Sequence, residues 1–341
     1  MTAEPSTKAL DPVERIARYL RGRHLDPDAH QAAALAGDAS DRRYFRLSRP
    51  DGSSIVLAVY AGPIAFAELP FANVSGLFQR LQLPVPAILD HSDALGIVAQ
   101  EDLGDVTLQT HLRTAAARER TALYRQAIDI IVCLQERGAA VDPAGYLPYR
   151  LAFDVEKLTW ELDFFVTHFL EGYCGAGLSS TERTVLSEEW TRLAGELAAE
   201  PRVLCHRDYH SRNLMVQAGR LSVVDFQDAR MGPDTYDLVS LLRDSYVDVA
   251  EQEVDDHVLY FLASRGLGRA AGFRERFDRM AVQRNLKALG TFGYQATVRQ
   301  NRAYVPYMAR TVAYVRANLA KYARFNRLHA ALAPHFDGLQ E

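Results

Sequence analysis

Residues 203–228, Val-Leu-Cys-His-Arg-Asp-Tyr-His-Ser-Arg-Asn-Leu-Met-Val-Gln-Ala-Gly-Arg-Leu-Ser-Val-Val-Asp-Phe-Gln-Asp, decide how the rest of the chain is read. Three short apolar runs, 202–205, 214–217 and 221–224, have the composition of β-strands. Between the last two, Ala218-Gly219-Arg220 is a short Gly-containing connection of the kind that closes a hairpin. In that hairpin Asn213 and Asp225 stand about equally far from the turn, side by side at its open end. His206 and Asp208 lie on the irregular segment leading into the first hairpin strand. Two carboxylates and an amide therefore converge on one spot. Asn213 and Asp225 offer hard oxygen ligands of the kind Mg²⁺ prefers, which leaves Asp208 free to orient a hydroxyl nucleophile.

His206-x-Asp208-x-x-x-x-Asn213, followed by Val224-Asp225-Phe226, resembles the catalytic loop and metal-binding Asp of the protein-kinase-like superfamily. The variant is similar to the aminoglycoside phosphotransferase branch, which includes choline and homoserine kinases. That resemblance implies an α+β, two-lobed protein-kinase-like fold. A small β-rich N-lobe is expected over residues 1–103 and a larger, mainly helical C-lobe over 104–341. ATP is then the phosphoryl donor, Mg²⁺ is held by Asn213 and Asp225, and Asp208 is the base or orienting group. His206 braces the loop, and Asp237 is structural, tying the helix after Gly232 to the catalytic loop.

The flanks narrow the acceptor. CHRDYHSRNLMV (205–216), VDFQDARMGPDTYDLVSLLRD (224–244), GDASDRRYFRL (37–47) and QRNLKALGTF (283–292) resemble the bacterial N-acetylmuramate/N-acetylglucosamine kinases. This implies ATP-dependent phosphorylation of the anomeric C1 hydroxyl of amino sugars recovered in peptidoglycan recycling. An anomeric hydroxyl is more acidic than an ordinary alcohol, so a carboxylate base suffices. Arg207, His210, Gln227, Asp228 and Arg243 are the candidate sugar contacts, since the lactyl carboxylate of N-acetylmuramate would call for a nearby Arg.

The first hundred residues carry the nucleotide side. A helix is expected over 12–23 from Val13, Ile16 and Leu20, and strands over 43–47 and 54–60 around the Arg49-Pro50-Asp51-Gly52 turn. In a kinase-like N-lobe the polar bend at 36–43 would arch over the phosphates with backbone N–H groups and Ser40 as donors, and Arg43 is a further candidate nucleotide contact. A helix at 71–81 and a strand at 97–100 follow, and Glu101-Asp102-Leu103-Gly104 resembles the inter-lobe hinge. Gln100, Glu101 and Leu103 are thus candidate adenine contacts. One departure stands out: the run 54–60 holds no Lys, although kinases pair one there with a helix Glu. Asn73, or Glu68 in another alignment, falls at the Glu position, and Arg42 or Arg43 could supply the charge. Beyond the hinge, helices are expected at 121–137 with Gly138 as C-cap, at 181–200, after Gly232, at 284–294 and at 303–320.

Bulk properties set the limits. With 48% hydrophobic and 24% charged residues and a net charge of −4, the chain has no basic footprint for nucleic acid. Cys133, Cys174 and Cys205 have no paired spacing, which fits a reducing cytoplasm, and no apolar run suggests a signal peptide or membrane span. A cytoplasmic monomer is expected. Three alternatives remain open: a zinc hydrolase on His206, Asp208 and His210, a non-catalytic pseudokinase, and a kinase for an aminoglycoside, choline or homoserine. The aromatic and acidic segment 153–173, with Trp160 and Glu161, could hold a cationic acceptor, stack a neutral sugar, or be an amphipathic helix.

Overall fold

The computed structural model describes residues 11–35, 42–268 and 270–336. Helix α1 (Pro12–Gly22) starts with Asp11 accepting from the Val13 N–H and Pro12 at its first position, where no amide donor is needed. It packs Ile16, Tyr19 and Leu20 on one face of a five-stranded antiparallel sheet. That sheet comprises β1 (Gln31–Ala34), β2 (Arg43–Ser48), β3 (Ser54–Val59), β4 (Ile88–Ser92) and β5 (Ile97–Glu101), in the order β1-β2-β3-β5-β4. Phe45, Leu47, Ile55, Leu57, Val59, Ile97 and Ala99 complete this core. Strand alternation turns the intervening positions the other way, so Arg42, Tyr44, Val56 and Gln100 line a cleft on the opposite face.

Helix α2 (Pro70–Arg80) behaves differently from the sheet that surrounds it in sequence. Its Val74, Leu77 and Phe78 are buried in the core of the helical part. Asn73 fixes the contact, donating to the Gly145 carbonyl at 2.8 Å and accepting from the Leu147 N–H at 2.9 Å. The helical part contains α3 (Leu108–His111), α4 (Ala117–Ala140), α5 (Val155–Phe165) and α6 (Ser180–Ala198), with α5 running on into a π-helical stretch, Val166–Tyr173. Four short strands follow: β6 (Arg202–Cys205), β7 (Leu214–Gln217), β8 (Arg220–Val223) and β9 (Arg230–Pro233). Then come α7 (Tyr236–Leu242), α8 (Glu251–Ser264), α9 (Phe273–Thr297), α10 (Met308–Lys321) and α11 (Asn326–Phe336). No helix among the described residues is long and apolar enough to cross a membrane.

Several elements differ from the sequence expectation. The hairpin turn is two residues, not three: Gln217 pairs with Arg220, and both Ala218 and Gly219 have positive φ, as a turn matched to strand twist requires. Gly138 is not a cap, because α4 continues to Ala140. A side chain there would press on Leu204 at 3.0 Å, so glycine lets α4 lie directly on β6. Strand β9, which pairs antiparallel with β6, occupies residues expected to lead straight into a helix. The helix expected over 284–294 spans 25 residues.

Helix α9 lies against α5 and the π-helical stretch at two glycines. A Cβ on Gly290 would come within 2.8 Å of the Phe165 Cα, and one on Gly293 would overlap the His168 carbonyl. Backbone cannot yield there as a flexible side chain could. Gly293→Ala should therefore destabilise the protein by about 3 kcal/mol, read as a lower urea midpoint with an unchanged slope.

Candidate active site

The segment between β6 and β7 is held by side chains from elsewhere in the fold. Asp237, at the start of α7, accepts from the backbone N–H of His206 at 2.7 Å and of Arg207 at 3.1 Å. Burial pushes its carboxyl up to about 7, against the two donors that favour the charged form. Asp244 accepts from the Ser211 N–H at 2.9 Å and the Tyr246 N–H at 2.8 Å. His206 is buried and donates from Nε2 to the Val224 carbonyl at 3.1 Å, binding the loop to the segment after β8. Tyr209 reaches Ala127 of α4 at 2.9 Å. Arg207 adopts φ +85°, a strained conformation that this network over-determines.

The loop and hairpin bring Asp208, Asn213 and Asp225 to one cleft, where they line a shared cavity with Arg42, His210, Gln227 and Asp228. Asn213 donates from Nδ2 to the Asp208 carbonyl at 2.9 Å and to Asp225 Oδ2 at 3.4 Å. Gln227 donates to Asp225 Oδ1 at 2.8 Å. Asn213 Oδ1 has no hydrogen bond among the described residues. The Asn213 amide oxygen and the Asp225 carboxylate are hard donors, one neutral and one anionic, of the kind that fits Mg²⁺. The zinc arrangement lacks its set: His206 is turned to Val224, His210 packs its ring on Tyr246, and no three His, Cys, Asp or Glu side chains group as metal ligands among the described residues.

Asp208 is enclosed by cations. Lys287 Nζ lies 3.1 Å and Arg284 Nη2 3.4 Å from Oδ1, and Arg207 Nε lies 3.8 Å from Oδ2. Burial pushes the carboxyl up, but Lys287, Arg207 and Arg284 outweigh it and hold Asp208 well below the usual carboxylate range. It is a charged, oriented and weakly basic group. Burial lowers the His210 imidazole to about 3, so it stands neutral.

Gln100, Glu101 and Leu103 line a cavity of about 310 Å³ with Arg42, Tyr44, Met215 and Asp225. Asp102 braces this corner, accepting from Arg46 at 2.6 Å and from Ser54 at 2.6 Å. Ser40 lies outside the described residues. Arg43 is on the far face of β2, over the Phe45 ring, because strand alternation gives the cleft to its neighbours. Arg42 faces the cleft, stacked over Tyr44 and Tyr60 and attracted by Asp225. Arg243 lines a cavity with Asp208, while its guanidinium pairs with Glu251 at 2.5 Å. Glu161 is buried and accepts from Gln283 at 3.0 Å, so the segment 153–173 turns this charge inward; the exposed Trp160 carries Lys157 over its ring. Arg284 and Lys287 were absent from the candidates read in the sequence. Their signal was two cations three residues apart, on one face of an expected helix that also carries the apolar Leu286 and Leu289.

The model of the phosphotransferase enzyme family, APH, matches residues 31–273, and the chain belongs to that family. Among curated proteins, an N-acetylmuramate/N-acetylglucosamine kinase of Neisseria meningitidis serogroup B is 35% identical over 307 residues, covering 87% of this chain and 88% of that protein. One of Pseudomonas aeruginosa is 34% identical over 267 residues, 75% of this chain and 74% of that one. Among solved structures, ADP-bound aminoglycoside phosphotransferase APH(2'')-Ib shares the fold, with a TM-score of 0.59, 13% identity and coverage of 89% and 98%.

Removing the Asp237 carboxylate strands two backbone donors, one buried and one partly buried. Asp237→Ala should cost about 3 kcal/mol in stability, whereas Asp237→Asn, which keeps one acceptor, should cost less. Denaturant titration of the two variants checks the order.

Proposed function

We propose that this protein is an ATP- and Mg²⁺-dependent kinase that phosphorylates the anomeric hydroxyl of N-acetylmuramate and N-acetylglucosamine. The observation that carries the reading is a single cavity lined by Asp208, clamped by Lys287, Arg284 and Arg207, together with the paired Asn213 and Asp225. The names of relatives at 35% and 34% identity over most of the chain support the acceptor.

Phosphoryl transfer is mainly positioning and charge neutralisation. Gln100, Glu101 and Leu103 would border the nucleotide base, and Arg42 would bring positive charge to the phosphates from the cleft side of the sheet. Asn213 and Asp225 would hold Mg²⁺, which when bound neutralises phosphate oxygens. Asp208 accepts the hydrogen bond of the acceptor hydroxyl, aims its lone pair at the γ-phosphorus and takes the proton as the new O–P bond forms. A carboxylate held so far below its usual range is a weak base. It therefore suits the more acidic anomeric hydroxyl better than an ordinary alcohol. Arg207, His210, Gln227 and Asp228 lie around it as candidate sugar contacts.

Asp208→Asn should lower kcat by about 10³-fold while leaving ADP affinity, measured by calorimetry, near that of the wild type. Asp225→Ala should instead abolish the Mg²⁺-dependent part of nucleotide binding. Amino sugars, aminoglycosides and choline offered with ATP test the acceptor through loss of the reducing end. A product phosphorylated at an interior hydroxyl, or turnover of choline or an aminoglycoside alone, refutes the anomeric assignment.

A further inference from the structure

An ammonium group has three N–H donors, and a buried one that lacks acceptors is costly. Lys287 projects from α9 into a cavity of about 130 Å³ that Asp208, His210, Tyr246 and Thr291 also line. Its side chain is 15% exposed. Among the described residues its ammonium makes one hydrogen bond, to Asp208 Oδ1 at 3.1 Å. The neighbouring cations are committed elsewhere as well. Arg284 donates from Nε to Ser240 at 3.0 Å, and Arg207 pairs with Asp228 at 3.0 Å. Two Lys287 donors thus remain for whatever enters the cavity beside Asp208. Burial lowers the pKa of Lys287 against the attraction of Asp208, as expected of an ammonium short of acceptors. The strand β3, Ser-Ile-Val-Leu-Ala-Val, brings no cation to the cleft.

We propose that Lys287 is a catalytic residue of the transfer step, holding Asp208 with one N–H and donating another to the acceptor oxygen as it attacks. The proposal rests on the phosphotransferase reading above. In that step the acceptor hydroxyl gives its proton to Asp208 and its oxygen bonds to the γ-phosphorus. The bond from that phosphorus to the β-γ bridging oxygen breaks, and its electron pair leaves with ADP. Lys287 keeps its protons throughout. Its charge lies beside the oxygen that becomes more negative as the proton departs, where a preorganised donor favours the transition state over the ground state. A compact ammonium with rotatable donors can serve the carboxylate and the acceptor at once, which a guanidinium fork fits less well.

Lys287→Met and Lys287→Arg in the full chain test this, with kcat and KM measured for ATP and each amino sugar. ATP hydrolysis is measured without sugar, where water is the acceptor. Thermal unfolding identifies the folded variants. Lys287→Met should lower kcat about 100-fold without raising the KM for ATP, lower sugar-free hydrolysis in parallel, and be partly rescued by Lys287→Arg. A wild-type kcat in folded Lys287→Met overturns the proposal. So does a raised KM confined to N-acetylmuramate, which would make Lys287 a reader of the lactyl carboxylate. If Lys287→Met does not fold, Lys287→Gln, which keeps a donor for Asp208 without the charge, decides by the same readouts. A wild type that hydrolyses ATP but phosphorylates neither sugar refutes the acceptor reading, and the hydrolysis comparison still decides Lys287.

Discussion

A carboxylate that stays charged with protein on most sides needs cations close by, because desolvation otherwise drives it to the neutral form. Asp208 meets that condition from two directions. Arg207 comes from its own loop, held at a positive φ by the Asp237 carboxylate, while Arg284 and Lys287 come from α9, far along the chain. The two α9 residues are three apart, so one helix face presents both. How near that face comes depends on Gly290 and Gly293, which let α9 rest on the backbone of α5 and the π-helical stretch. Thus the electrostatics around Asp208 are set by a helix-packing distance.

Three cations around one carboxylate would repel one another without a further counter-charge. Asp228, 3.0 Å from Arg207, supplies part of it, and Glu161 on α5 the rest: the Glu161 charge favours the ionised forms of Arg207, Arg284 and Lys287. Gln283, one residue before Arg284, donates to it at 3.0 Å, so α5 and α9 are linked by polar contacts as well as by close packing. Asp208 lines the cleft, whereas Glu161 is buried in the core.

The hairpin and the meeting of Asn213 with Asp225 were legible in the sequence because they follow from chain-local rules: strand composition, a Gly-containing turn and equal distances from it. The sheet and most helices were legible for the same reason, through period and capping. The α9 cations were not. Nothing in the spacing of Arg284 and Lys287 says which buried group, nearly eighty residues away, they will meet. Arg42 and Arg43 show a finer limit. Both are basic and adjacent, and only the strand register, fixed by pairing across β2 and β3, sends one to the cleft and the other to the far face. Gly138 reads as a cap from its position in the sequence and acts as a contact point only once β6 lies across α4.

The same reasoning explains why α2 can do without the ion pair that its position suggests. Phe78 packs on Phe226 at 5.4 Å between ring centres and on His206 at 6.4 Å, and Phe71 stacks on Phe226 at 5.2 Å. Phe226 is the residue next to Asp225, so α2 bears directly on the candidate metal site through aromatic contact. Burying a Phe side chain is worth about 2 kcal/mol, against roughly 0–1 kcal/mol for a solvent-exposed ion pair, and salt does not screen it. With Asn73 pinned to the 145–147 loop as well, the helix is held without a charge. A lysine on β3 would then have no helix carboxylate to meet, which is consistent with the wholly apolar centre of that strand. The positive charge in the cleft comes instead from Arg42 and from the helical core.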